Sequence, residues 1–130
     1  MDPPAVITYV YEYADEPGAV SLKDLSASVE DVLGFRVAEW YEDPQLWQRL
    51  LHPEDAVRVV AATWRTTFQG IRYEETYRMI SRDSRIVWIR DHAEVERLPD
   101  NSEVWRGSWT VLSEPDRLDD PDRRDELDQP

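Results

Sequence analysis

Residues 71–113 read IRYEETYRMISRDSRIVWIRDHAEVERLPDNSEVWRGSWTVLS. Three runs rich in β-branched and aromatic residues are cut by two polar clusters, RDSR and PDNS. Such runs suit a pleated sheet, and such clusters favour tight turns. The spacing predicts strands over Ile71–Ser81, Arg85–Leu98 and Glu103–Ser113, joined as an antiparallel meander. Side chains alternate across a strand. That puts Val87, Ile89, Ala93 and Val95 on one face of the middle run, and Trp88, Arg90 and His92 on the other. Tyr73, Tyr77 and Met79 share a face, as do Trp105 and Trp109.

Upstream of the meander the pattern changes period. Val57, Val60, Ala61, Trp64 and Phe68 fall at i, i+3, i+4, i+7 and i+11, one stripe of an α-helix that Gly70 ends. This stripe is expected to face the core. The helix begins at HPED, residues 52–55. Proline suits a first helical turn, where its missing N–H would be unbonded anyway. Glu54 and Asp55 place negative charge at the positive end of the helix dipole. His52 precedes them and is read as a cap or local hydrogen-bond partner. A metal or haem site is disfavoured, because His52 and His92 fall in different elements and no His-x-x-x-His or Glu-x-x-His spacing occurs.

Pro44 and Pro53 cut residues 36–52 into short helical pieces, with apolar faces from Trp40, Leu46, Trp47, Leu50 and Leu51. Before them, Ser26 or Ser28 is placed to cap a short helix that Gly34 ends. At the start, Ala5–Tyr13 and Val20–Leu25 read as two strands around a Pro17-Gly18 turn. The order is two strands, several helices, three strands. Two strands alone are barely stable. The expected fold class is therefore α+β: one five-stranded antiparallel sheet with helices packed on one face.

Composition narrows the function. The 130 residues carry a formal net charge of -13, which repels phosphate backbones and anionic membranes, so neither nucleic acid nor membrane is an expected partner. There is no cysteine, which removes disulfides, thiolate nucleophiles, Cys-ligated zinc and cysteinyl–flavin photochemistry. The N-terminal MDPPAVITYVYEY has neither a basic region nor a long apolar run, so a signal peptide is not expected, and the cytoplasm is the expected compartment. No paired-acid spacing, phosphate-binding glycine loop or nucleophile elbow appears, and there are only four glycines. No catalytic residue is assigned. Residues 114–130, EPDRLDDPDRRDELDQP, are acidic and Pro-punctuated, and are expected to form a disordered or loosely attached tail.

The segment VLGFRVAEWYEDPQLWQRLLHPED resembles the Per-Arnt-Sim (PAS) domain of bacterial signalling proteins, in its PAS fold 3-like form. EETYRMISRDSRIVWIRDHAEV resembles the later strands of that fold, and WRGSWTVL its last strand. The resemblance runs from about Ala5 to Ser113, within a domain taken as residues 1–113. Three departures stand out. The Asp-Ile-Thr ending common in the family is replaced at Val111, Leu112 and Ser113. The turn that usually holds Asp-Gly has Asp83-Ser84. LKDLSASVE stands where the family has a more apolar second strand.

The resemblance implies a non-catalytic sensory or regulatory domain in bacterial signal transduction. Its partners would be a second copy of the chain, a signalling output domain or another protein. Tyr9, Tyr11, Tyr77, Trp88, Trp105 and Trp109 are the candidate interface, as aromatics in excess of one core. The alternative is a small-ligand or cofactor sensor with an apolar pocket between helices and sheet, lined by Trp40, Trp47, Val60, Trp64, Phe68 and Ile89. No cofactor is called for; a small apolar ligand or a flavin stays open.

Overall fold

A computed structural model describes residues 4–14, 19–69 and 72–113, with the side chains of residues 67–69 left undescribed. The expectations for the 17–18 turn, Gly70 and the tail from residue 114 lie outside these residues. Strands β1 (Val6–Tyr13) and β2 (Val20–Leu25) come first. Helices α1 (Ser28–Leu33), α2 (Val37–Glu42), α3 (Leu46–Arg49) and α4 (Pro53–Gln69) follow. Strands β3 (Arg72–Ile80), β4 (Ile86–Arg97) and β5 (Glu103–Val111) end the described fold. All pairings are antiparallel, in the order β2-β1-β5-β4-β3. The α+β class and the single five-stranded sheet are as the sequence predicts.

The register gives the sheet its two faces. Ile7 pairs with Trp109, Tyr11 with Trp105, Asp91 with Trp109 and Tyr77 with Ile89, so odd-numbered residues of four strands share one face. That face is buried beneath the helices: Ile7, Tyr9, Tyr11, Tyr73, Tyr77, Met79, Ile89 and Trp109 join Trp40, Leu46 and Val59 in one core. β2 joins through a bulge. Tyr9 pairs with Leu25 and Tyr11 with Leu22, so the two leucines, three apart, both point inward.

Helix α1 ends at Gly34, whose φ of +81° is the left-handed conformation that glycine adopts without strain. Its start differs from expectation. The N-cap is Ala27, which makes no side-chain bond. Ser26 Oγ accepts the Thr8 N–H at 2.9 Å, and Ser28 Oγ donates to the Val6 carbonyl at 3.0 Å. Both serines fasten α1 to β1 instead of capping it.

Helix α4 is rotated from the predicted orientation. Val57 is 84% exposed and Trp64 57% exposed, whereas Asp55, Val59 and Ala62 are buried. The cause is an anchor. Arg78 on edge strand β3 donates its backbone N–H and its Nε to Asp55 Oδ2, and Nη2 to Oδ1, at 2.8–2.9 Å. With position 55 turned to the sheet, positions 59 and 62 follow at helical spacing. Burial alone would push the Asp55 carboxyl up, but the Arg78 bonds outweigh it and hold it below its ordinary value. Apolar periodicity could not show this, because the anchoring residue is an acid.

Candidate functional site

Between the helices and the sheet lies a small cavity. Its walls are Tyr9, Tyr11 and Tyr13 of β1, Tyr73 of β3, Asp91 of β4 and Trp105 and Trp109 of β5, closed by Trp47 and Thr63 from the helices. Its volume is about 20 Å³, room for about one water molecule.

Asp91 is the centre of this site. The alternation of β4 turns it inward between Ile89 and Ala93, and only 2% of it is exposed. Three strands converge on its carboxyl. The Tyr9 hydroxyl donates to Oδ1. The Tyr77 hydroxyl and Trp109 Nε1 donate to Oδ2, at 2.7 and 3.2 Å. Trp47 Nε1 of α3 donates in turn to the Tyr77 oxygen at 2.8 Å. Burial pushes the Asp91 carboxyl up to about 7, against these three donors and with help from the charge of Glu75. Burial also raises the hydroxyl groups of Tyr9, Tyr11, Tyr73 and Tyr77 above their ordinary value, so they stay protonated.

Gly107 makes the convergence possible. On β5 it lies between Tyr9 and Ala93 in register. The Tyr9 ring crosses over it to reach Asp91 on the next strand. Two polar groups lining the cavity remain unpaired: the hydroxyls of Tyr11 and Tyr73 are buried without a hydrogen-bond partner. Such groups are costly and uncommon in native interiors.

The predicted pocket residues divide. Trp40 and Ile89 are fully buried in the core, and the Trp40 ring lies tilted against Trp109, 5.5 Å between centroids, without lining the cavity. Trp47 does line it. Val60 is half-buried, Trp64 projects outward with the rotated helix, and the Phe68 side chain is not described. The interface set needs correction too. Tyr9, Tyr11, Tyr77, Trp105 and Trp109 are buried on the inner face, in the core beneath the helices. Only Trp88 is on the outer face, half-buried, with the Arg78 guanidinium 5.3 Å above its ring. The strands have helices over the odd-numbered side, so their large rings fill one core. Asp91 was missed because an acid breaks an apolar run; its odd number on β4, in step with Val87 and Val95, was the available signal.

HPED is a helix start. His52 Nδ1 accepts the Glu54 N–H at 3.1 Å, and its backbone N–H pairs with the Arg78 carbonyl. Among the described residues no group of three or more His, Asp or Glu is placed to hold a metal ion, and no helix is long and apolar enough to cross a membrane.

The fold is shared with solved signalling proteins. The N-terminal domain of a diguanylate cyclase with PAS/PAC sensor from Marinobacter aquaeolei is 23% identical, with a TM-score of 0.66 over 89% of this chain and 100% of that one. A domain of a putative light and redox sensing histidine kinase from Haloarcula marismortui is 15% identical, with a TM-score of 0.67 over 82% and 90%. A PAS domain from Colwellia psychrerythraea is 15% identical, with a TM-score of 0.62 over 81% and 83%. No curated protein matches the chain. The sequence model of the PAS fold matches residues 23–111, from the second strand to the end of the last. The chain belongs to the PAS fold family.

Proposed function

We propose that the chain is a non-catalytic sensory domain of a cytoplasmic signalling protein, and that it reads a compact polar ligand in the cavity around Asp91. One observation carries this: the Tyr11 and Tyr73 hydroxyls stand unpaired in a cavity walled by a buried carboxyl. Asp91 on β4 is bonded to β1, β3 and β5, and Trp47 of α3 bonds to its partner Tyr77, so an occupant that alters its charge alters ties across four of the five strands. The cavity is walled mostly by aromatic rings, and Asp91 and the two hydroxyls are the polar groups that favour a polar occupant over an apolar one. A cavity of about 20 Å³ is far below the ~300–1,000 Å³ of sites for drug-sized ligands, which disfavours a flavin. Residues 1–113 would form the sensing domain and residues 114–130 a linker to an output domain or partner.

A native mass spectrum of the protein as purified, at two concentrations, tests this together with the second reading. That second reading is homodimerisation, and what favours it is an exposed apolar ridge on α4 formed by Val57 and Trp64. Ligand sensing is read beside the spectrum as a saturable shift of the thermal midpoint with a small polar solute, lost in Asp91→Asn. A dimer that Trp64→Glu splits into monomers, with no such thermal shift, would replace the ligand reading with the contact reading.

A further inference from the structure

We propose that the cavity takes an ammonium-type cation, ammonium or at most methylammonium, held between the Asp91 carboxylate and the hydroxyl oxygens of Tyr11 and Tyr73. This deepens the ligand-sensing reading and rests on it.

Charge decides the sign of the ligand. The cavity wall holds one ionisable acid, Asp91. Glu75 of β3 acts on it through space but is paired with Arg58 at 2.9 Å, and Glu103 of β5, bonded to Trp105 Nε1, is paired with Arg97 at 2.8 Å, so the sign at the wall rests on Asp91 itself. The chain as a whole is at -13. An anion entering this site would face repulsion in a low-dielectric interior. A cation would face attraction.

The remaining wall chemistry fits the same sign. A phenol oxygen keeps acceptor lone pairs, so the unpaired hydroxyls of Tyr11 and Tyr73 can each receive an N–H. Most of the other surface is ring: Tyr13 and Tyr73 flank Trp105 at 5.7 and 5.2 Å between centroids, and Tyr9 stacks on Trp109 at 5.0 Å. Aromatic faces attract ammonium groups, and they accept N–H contacts weakly. Hard metal cations require six or more oxygens or a retained water shell, which a wall of rings does not supply. The volume of about 20 Å³ sets the upper limit on size, since it holds one water-sized group and has no room for a tetramethylated nitrogen.

So small a ligand binds weakly. The ceiling on affinity per heavy atom places the dissociation constant on the order of 10–100 mM.

The test is a titration of the full 130-residue chain with ammonium chloride replacing sodium chloride at constant ionic strength. It is read by tryptophan fluorescence, since Trp47, Trp105 and Trp109 line the cavity, and by the thermal midpoint. The expected result is a saturable response to ammonium and methylammonium, with none to potassium or tetramethylammonium. It is lost in Asp91→Asn. The double variant Tyr11→Phe with Tyr73→Phe weakens it at least severalfold. That double variant keeps all three donors to Asp91, so it reports on binding even where Asp91→Asn does not fold.

Equal responses to ammonium and potassium, each replacing sodium, overturn the proposal, as does an undiminished response in the double variant. A saturable response to formate or methanol, with none to ammonium, overturns the cation but keeps the ligand-sensing reading. Silence from every small probe, together with a bare native mass, overturns both and leaves a single water as the occupant.

Discussion

Gly107 lies directly beneath Tyr9. A Cβ built at residue 107 would stand 2.5 Å from the Tyr9 hydroxyl oxygen and 2.5 Å from the His92 carbonyl oxygen. The second of these is backbone and cannot step aside. The absent side chain is what lets Tyr9 span β5 and reach Asp91. Gly107→Ala is expected to cost about 1–3 kcal/mol as overpacking, measured by urea denaturation. Tyr9→Phe should relieve little of that cost, because the clash with His92 remains.

The Asp91 carboxyl gives stability a distinctive pH dependence. In the unfolded chain it titrates at its ordinary value of 3.8, and in the native protein at about 7. Between these values the native state holds the extra proton, so stability falls as pH rises from about 4 to about 7. The size is on the order of 4 kcal/mol at most. Growing negative self-repulsion acts in the same direction. Comparing urea midpoints of wild type and Asp91→Asn from pH 4.5 to 8 separates the two. The variant should lose most of the slope; an unchanged slope would exclude Asp91 as its source.

Trp64 and Trp40 should behave oppositely. Trp40 is fully buried, and Trp40→Ala is expected to cost about 3–5 kcal/mol. Trp64 is mostly exposed, and Trp64→Ala should cost under about 1 kcal/mol. A large loss from Trp64→Ala would restore the predicted stripe and contradict the rotation of α4.

That rotation depends on Asp55 and Arg78. Arg78→Met removes the guanidinium and leaves a nearly buried carboxylate with one backbone donor and the more distant Arg58 at 3.7 Å, for an expected cost of about 3 kcal/mol. Adding Asp55→Asn should recover part of it, which a double-mutant cycle measures. The carboxyl is held low, so its contribution is full above its ordinary value and disappears as pH falls below it. Asp91 therefore lowers stability as pH rises from about 4 to about 7, and Asp55 lowers it as pH falls below about 4.

Ser84 occupies the turn between β3 and β4 with φ of +66°. This is the position where the family usually carries glycine, and the left-handed region costs a side-chain-bearing residue roughly 1–2 kcal/mol. Ser84→Gly relieves that strain but adds freedom to the unfolded chain. The expected net effect is a gain of up to about 1 kcal/mol in thermal or urea unfolding.

The order of elements along the chain, the two turns of the C-terminal meander and the fold class were readable in the sequence because each depends on local periodicity. The alternation of Val87, Ile89, Ala93 and Val95, the turn residues Asp83-Ser84 and the Pro53 helix start are all encoded within a few neighbouring positions. The PAS resemblance followed from the same segments in order. What the tertiary structure decided was which apolar surface is inside. Helix α4 offers one apolar stripe, yet its orientation is set by a charged pair, Asp55 with Arg78, 23 residues apart. The site depends on longer reach still. Tyr9 and Asp91 are separated by 82 residues and meet only because β1 and β4 both pair with β5 across Gly107. An acid within an apolar strand shows its role only when its donors arrive from other strands. Burial and hydrogen bonding between distant residues set its charge, and those are properties of the packed sheet.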